Sequence, residues 1–344
     1  MEVLFLINSL ANRSGSERVA VELVNKLSKL SSYNITIINR DSSKENCAYI
    51  VEDKVKVKVI KGNPINFIIK LKNDIISNNY DVVVVHNMGK LSLLVSLLPK
   101  VKKLVSLEHI SFVSRPKVIQ ILSGFLYKKI DQVVTLTNSD KNQFDKIHSN
   151  VITIPNFSPF QVKEKDTQLK KTILSIGRLS DQKNYVHLIE AWNIINDKIP
   201  EWKLNIYGEG EQEAYLRLLI NEYKLKNIYL KGSISNVIQA YEESDFFVMS
   251  SKYEGLPMVL IEAQSFGLPI ISYNCPHGPA DIVHNNVNGY LVEDQNIKEL
   301  SDAILKLANS VDTLDLFSKN SLINAHKFQF DRIIKIWKDN VFNE

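Results

Sequence analysis

The sequence predicts an α/β protein built on two parallel sheets, and three observations carry that expectation. Short β-branched runs alternate with helical patterns from end to end, the signature of βα units. Runs such as Val82 to Val85 are continuously apolar, as strands covered on both faces need to be. The length of 344 residues suits two domains, and the stretch from Asn156 to Lys171, polar and charged between two strand runs, marks their boundary.

In the first half, strands are expected at 3–8, 34–40, 55–60, 81–87, 103–108, 132–137 and 151–155. In the second half they are expected at 172–177, 203–208, 228–232, 246–250, 269–274 and 289–292. The opening run follows acidic Glu2 with no basic residue before it and ends at Asn8-Ser9, so it reads as a first strand and not as a secretory leader. No stretch approaches the roughly 18 apolar residues of a membrane span. Composition, at 44% hydrophobic and 23% charged, is that of a globular protein. Cys47 and Cys275, the only cysteines, have no metal-ligand spacing and fit a reducing cytoplasm.

Net charge is +4, but residues 1–160 carry 22 Lys+Arg against 13 Asp+Glu, and the remainder carries 20 against 25. The excess gathers at Lys100–Lys103 and from Arg115 through Lys129, beside Phe112, Phe125 and Tyr127. Basic residues interleaved with aromatics suit an anionic membrane surface. No nucleic-acid-binding motif accompanies them, so nucleic acid is not an expected partner.

Glu254 and Glu262 stand with seven residues between them in the stretch from Ser250 to Gln264. Asp245 to Met249 reads as a buried strand, Tyr253 to Pro257 as a turn, and Pro257 as the first residue of a helix, where its missing N–H costs nothing. In a parallel sheet this junction places backbone N–H groups and the positive end of a helix at the carboxyl edge, where anionic ligands collect. Eight residues of helix span about 12 Å, more than the roughly 5 to 9.5 Å of a hydrolytic carboxylate pair. Two acids that hold different parts of one long, hydroxyl-rich ligand suit that spacing; two unrelated solvated glutamates are the alternative.

Arg178 closes a further expected strand after Gly177, and Lys183 follows on the same strand-to-helix loop. Two such cations suit a diphosphate, Arg through its planar fork and Lys as a point charge. His109 follows the run 103–108, and His86 near the end of 81–87 is a candidate for the acceptor side. Glycines at Gly208, Gly210 and Gly232 end strands where a ligand can approach the backbone. No Asp-x-Asp occurs to hold a divalent ion on a diphosphate.

The Glu254 to Glu262 stretch, with the segment from Gly267 to Val283, resembles retaining glycosyltransferases of family 4. The similarity runs over nearly the whole chain, is densest from Ser175 to Glu293, and is nearest to bacterial enzymes of O-antigen, capsule and exopolysaccharide synthesis, of the amylovoran-biosynthesis type. The resemblance implies the GT-B fold, two Rossmann-like domains with parallel sheets facing across a cleft. Residues 1–160 would form the acceptor side, 161–325 the nucleotide-sugar side, and 326–344 a C-terminal helix crossing back to the first domain. A hexose or N-acetylhexosamine would pass from a UDP-sugar to a glycan or lipid-linked acceptor.

The same resemblance distributes the roles. His109 and Glu254 are the catalytic candidates, meeting the donor sugar with the N–H groups of Gly255 and Leu256. Glu262 would hold the ribose, Arg178 and Lys183 the diphosphate, and Gly232 and Ser233 the nucleobase. Gly15 belongs to the loop that approaches the donor phosphate, where members carry paired glycines; here Ser14 replaces the first. No cofactor and no metal are expected, because these cations and a helix N-terminus can neutralise the diphosphate. The expected location is the cytoplasm, peripheral at the inner face of the plasma membrane. A nucleotide-sugar epimerase of the same fold and a non-catalytic sugar-binding protein are the other classes.

Overall fold

The computed structural model describes residues 1–11, 15–87, 90–99, 101–165, 168–234 and 236–343. Met1–Asn156 with Ile334–Glu344 form one compact unit, and Phe157–Ile333 form a second.

The first unit runs β1 (Glu2–Leu6), α1 (Gly15–Ser28), β2 (Asn34–Asn39), β3 (Lys56–Val59), α2 (Pro64–Asn78), β4 (Val82–Asn87) and α3 (Leu91–Val95). It continues with β5 (Leu104–Glu108), α4 (Lys117–Leu126), β6 (Gln132–Thr135), α5 (Asn138–Phe144) and β7 (Val151–Thr153). All seven strands are parallel, in the order β3-β2-β1-β4-β5-β6-β7. Val83 and Val84 are wholly buried on opposite faces of β4, which is why that run has no polar alternation. Phe67 and Leu71 of α2, Leu91 and Leu93 of α3, and Phe144 of α5 join one face of the sheet in a single core.

The second unit runs β8 (Thr172–Ile176), α6 (Tyr185–Ile195), β9 (Lys203–Tyr207), α7 (Glu213–Glu222), β10 (Ile228–Leu230), α8 (Val237–Glu242) and β11 (Phe246–Met249). After these come α9 (Met258–Ser265), β12 (Ile270–Tyr273), α10 (Pro279–Ile282), β13 (Gly289–Val292), α11 (Ile297–Ala308) and α12 (Val311–Ala325), and α13 (Phe330–Trp337) begins in this unit and continues from Ile334 in the first. Its six parallel strands lie in the order β10-β9-β8-β11-β12-β13. Trp192 of α6, Trp202, and Phe246 of β11 are among its fully buried side chains.

In both units the chain works outward from its first strand in one direction, then returns to that strand's other side. This is doubly wound order, and ligands bind at the carboxyl edge where the order reverses. The reversals fall between β1 and β4 and between β8 and β11. Most strands end one or two residues earlier than expected, because the last residues of each run already turn into the carboxyl-edge loops, as at Gly177, Gly208 and Gly232. Pro257 is also displaced from its expected place: it stands before α9 as the cap residue, with an extended ψ of 102°, and Met258 begins the helix.

The stretch expected to be a linker is strapped to the second unit. Phe157 is buried. Phe160 packs edge-on against Phe266 at 5.3 Å, and the Lys163 N–H donates to the Ser265 carbonyl. The Lys165 ammonium donates to the Asp245 carbonyl at 2.6 Å. Two aromatic anchors therefore decide the path of a segment whose composition is mostly polar. At the other junction Ile334–Glu344 join the first unit, where Phe342 meets Tyr33 at 5.1 Å and the Lys103 ammonium donates to the Val341 carbonyl at 2.7 Å.

Candidate active site

Three loops meet at the reversal between β8 and β11. The first, residues 177–184, begins on the β9 side, where the Leu179 N–H donates to the Glu209 carbonyl, and buried Leu179 pins it. It ends on the β11 side, where the Ser250 hydroxyl donates to the Lys183 carbonyl at 3.0 Å. The second, residues 250–257, lies along it: the Lys252 N–H donates to the Gln182 carbonyl, and Gln182 Nε2 to the Tyr253 carbonyl at 3.0 Å. The third, residues 274–278, closes on the second. Gly278 has φ +88°, and a Cβ there would lie 2.0 Å from the Gly255 carbonyl oxygen, so only glycine fits.

Within this cradle Lys183 Nζ and Glu254 Oε1 form an ion pair at 2.6 Å, their side chains 20% and 8% exposed. The loops thus bring together a cation and a carboxylate separated by 71 residues. Lys183 and Arg178, expected to converge, do not. Arg178 leaves the loop on the β9 side, is 74% exposed and pairs with Glu211 at 3.2 Å, because the loop passes from one neighbour to the other between these two residues. Gly255 and Leu256 lie just before α9, whose first N–H groups have no partner within the helix. Cys275, in the third loop, has its thiol pushed up to about 12 by burial and then by the Glu254 charge, which makes it an inert packing group.

Glu262 is elsewhere on α9 and buried; its Oε2 accepts the Tyr241 hydroxyl at 2.9 Å. Tyr241 ends in a stack on Phe266, with centroids 5.1 Å apart. It belongs to α8, the helix that follows the loop carrying Gly232 and Ser233. Gly232 has φ +73°, its carbonyl accepts from Gly208, and the Ser233 N–H donates to Glu209 at 3.3 Å. The two glutamates therefore sit in different surroundings, one with a cation and one with a phenol. Sequence reading missed Tyr241, Glu211 and Gly278; only the glycine carries a sequence signal, as one of a Pro276-His-Gly-Pro279 turn.

In the first unit, His86 on β4 and His109 after β5 stand at the carboxyl edge near the other reversal. His109 Nε2 and His86 Nδ1 share a hydrogen bond of 3.0 Å, and the rings stack with centroids 5.0 Å apart. Burial holds His109 down to about 4 and His86 well below the usual imidazole range, with the neighbouring His109 adding to the latter, so both are neutral at pH 7. His86 Nε2 is buried and has no partner among the described residues. Gly15 opens α1, is exposed, and a Cβ there would meet nothing within 4 Å. Ser14 lies outside the described residues.

The basic patch is composed differently from expectation. Arg115 and Glu108 are an ion pair whose side chains are 2% and 1% exposed, completed by the Tyr127 hydroxyl donating to Glu108 at 2.7 Å. Arg115 lies over the Phe144 ring at 5.1 Å, so an arginine flanked by aromatics is here a core group. Tyr127 is wholly buried. Lys102 pairs with Asp81 at 2.7 Å, Lys103 serves the C-terminal backbone, and Lys100 lies outside the described residues. Lys102 stays 55% exposed within its pair, and Lys117, Lys128 and Lys129 are exposed as well.

Solved structures share this architecture across the whole chain. Anabaena HepE in complex with UDP superposes with a TM-score of 0.85 at 16% identity, covering 100% of both chains. A variant of Staphylococcus aureus TarM, in complex with Fondaparinux, alpha-GlcNAc-glycerol and UDP, does so with a TM-score of 0.81 at 15% identity, again over 100% of both. Two doubly wound parallel sheets of seven and six strands thus make a GT-B fold. The model of the glycosyl transferases group 1 family matches residues 158–322. The amylovoran biosynthesis glycosyltransferase AmsD of Erwinia amylovora is 32% identical over 357 residues, spanning 98% of this chain and 99% of AmsD. The chain belongs to the glycosyl transferases group 1 family and is a glycosyltransferase.

Proposed function

We propose that this enzyme is a retaining, family 4 glycosyltransferase that moves a hexose or N-acetylhexosamine from a UDP-sugar to a glycan or lipid-linked acceptor in bacterial surface polysaccharide synthesis, peripheral to the inner face of the plasma membrane. The Lys183–Glu254 pair at the β8/β11 reversal is the observation that carries this reading. A buried carboxylate already matched to an ammonium on a four-carbon stem is a charge exchange in waiting. As the donor enters, the Lys183 ammonium passes from Glu254 to the diphosphate, with Arg178 swinging in from Glu211. Glu254 then accepts hydrogen bonds from donor-sugar hydroxyls, next to the N–H groups of Gly255 and Leu256. Glu262, steadied by Tyr241, takes the ribose hydroxyls, and Gly232 and Ser233 border the base.

His109, neutral and steadied by His86, offers a hydrogen bond to the sugar rather than a proton to the acceptor. The leaving phosphate assists attack from the front face, so no side chain forms a covalent intermediate. The cations of the loops carry out the neutralisation that a metal performs in other sugar transferases. The printed name of AmsD, a glycosyltransferase of amylovoran biosynthesis, supports a polysaccharide setting, and the UDP in the HepE and TarM complexes supports the choice of nucleotide.

The test is incubation with UDP-sugars and lipid-linked acceptors, with and without EDTA, following UDP release and reading the product anomer by NMR. Retention of the donor configuration with EDTA present is the expected result. Inversion overturns the stereochemical assignment, and loss of turnover restored by Mg²⁺ or Mn²⁺ overturns the role of the loop cations. An epimerised donor, or binding without turnover, overturns transfer itself.

A further inference from the structure

The helix α4 turns its apolar side chains to solvent. Val118, Ile121, Leu122 and Phe125 are 66, 62, 42 and 69% exposed, and Val113, just before the helix, is 50% exposed. Their spacing puts the four on one helical face. The opposite face does the docking: Ile119 and Leu126 pack on the core of the first unit, and Ser123, wholly buried, lets the helix sit close to it.

Charge brackets this stripe. Residues 110–130 contain no Asp or Glu, while Lys117 stands at one end of α4 and Lys128 and Lys129 just beyond the other, all exposed. Lys117 begins the helix, where the macrodipole favours an acid, and no acidic residue stands in that first turn. Helix stability therefore accounts for Lys128 and Lys129 at the C-terminal end but gives no reason for Lys117 in this charge pattern. A partner that satisfies it is apolar opposite the middle of the helix and anionic at both margins. A second copy of the same face does not qualify, because two-fold pairing opposes lysines to lysines.

We propose that α4 lies in the interface of an anionic lipid bilayer, with Val118, Ile121, Leu122 and Phe125 among the acyl chains and Lys117, Lys128 and Lys129 at the head groups. This rests on the peripheral-membrane reading above and changes its basis: the anchor is the apolar stripe, and the cations form its rim.

Sedimentation with phosphatidylcholine vesicles, with and without phosphatidylglycerol, tests it, with UDP binding by calorimetry as the control for folding. The full chain should bind the anionic vesicles and keep part of that binding in high salt. Ile121→Ser/Phe125→Ser should lower vesicle affinity by more than about tenfold while UDP binding persists. Lys128→Ser/Lys129→Ser should lower chiefly the salt-sensitive part. If the stripe variant binds vesicles as the unmodified chain does, the stripe is not the anchor, although the peripheral reading stands. No binding of the unmodified chain to either vesicle overturns both, while retained UDP binding leaves the glycosyltransferase assignment intact. A dimer in sedimentation velocity that the stripe substitutions dissolve would assign the face to self-association instead.

Discussion

At the scale of single residues, Glu254 and Glu262 should fail differently. In the proposed arrangement Glu262 holds a part of the donor remote from the reacting carbon, so Glu262→Ala should weaken UDP and UDP-sugar alike by roughly 1.5–3 kcal/mol. Glu254→Ala should lower turnover much more than UDP affinity, since orienting the sugar matters most as the bond breaks. Calorimetry and UDP release on variants shown to be folded separate the two; loss of UDP binding in Glu254→Ala with retention in Glu262→Ala would reverse the assignment. The histidine pair sets a pH dependence. His86 and His109 bind protons less readily folded than unfolded, where the imidazole value is about 6.5. Their contribution to stability is thus fully present above that pH and is lost as pH falls from there toward about 4, the folded value of His109. Denaturant unfolding across that range should steepen for the unmodified chain and flatten for His86→Asn/His109→Asn. Both glutamates stand out in the sequence by type and spacing, whereas His109 stands out only through the family resemblance. Their partners do not: Lys183 meets Glu254 across 71 residues, and Arg115 disappears into the core through Glu108 and Tyr127, neither of which a charge count can reveal.

At the scale of elements, strands were legible because β-branched runs buried on both faces leave little else for the chain to do. Their ends were less so, since the carboxyl-edge residues serve loops whose geometry depends on neighbouring strands. The helix α4 shows the limit more sharply. Its residues Val118 to Phe125 gather Gln120, Ser123 and Gly124 on one side, so the pattern alone assigns the core to the apolar side, yet Ser123 is buried while Val118, Ile121, Leu122 and Phe125 face solvent. The third loop of the cradle offers a direct test of loop packing. Gly278→Ala combines a left-handed φ of +88° with a Cβ 2.0 Å from the Gly255 oxygen. It should cost about 1–3 kcal/mol and shift the Glu254 loop, lowering turnover. Equal stability and turnover in Gly278→Ala would mean that the third loop does not hold the second in place.

At the scale of the whole molecule, the chain leaves the first unit after Asn156 and re-enters it at Ile334. The re-entering residues Val341 and Phe342 are 0% and 3% exposed, so they complete that unit's core rather than decorate it. Phe342→Ala should therefore cost about 3–5 kcal/mol, and hydrogen exchange should register the loss in the first unit while the second keeps its protection. Even loss of protection in both units would contradict this division of the core. The same arrangement imposes an order on biosynthesis. Domains fold as units while the ribosome is still working, yet Tyr33, made near the beginning, waits for Phe342, made near the end, to cover its ring. The nascent first unit is held incomplete for as long as residues 157–333 are being translated, and the second unit, contiguous in the message, has all its own residues before the first can close.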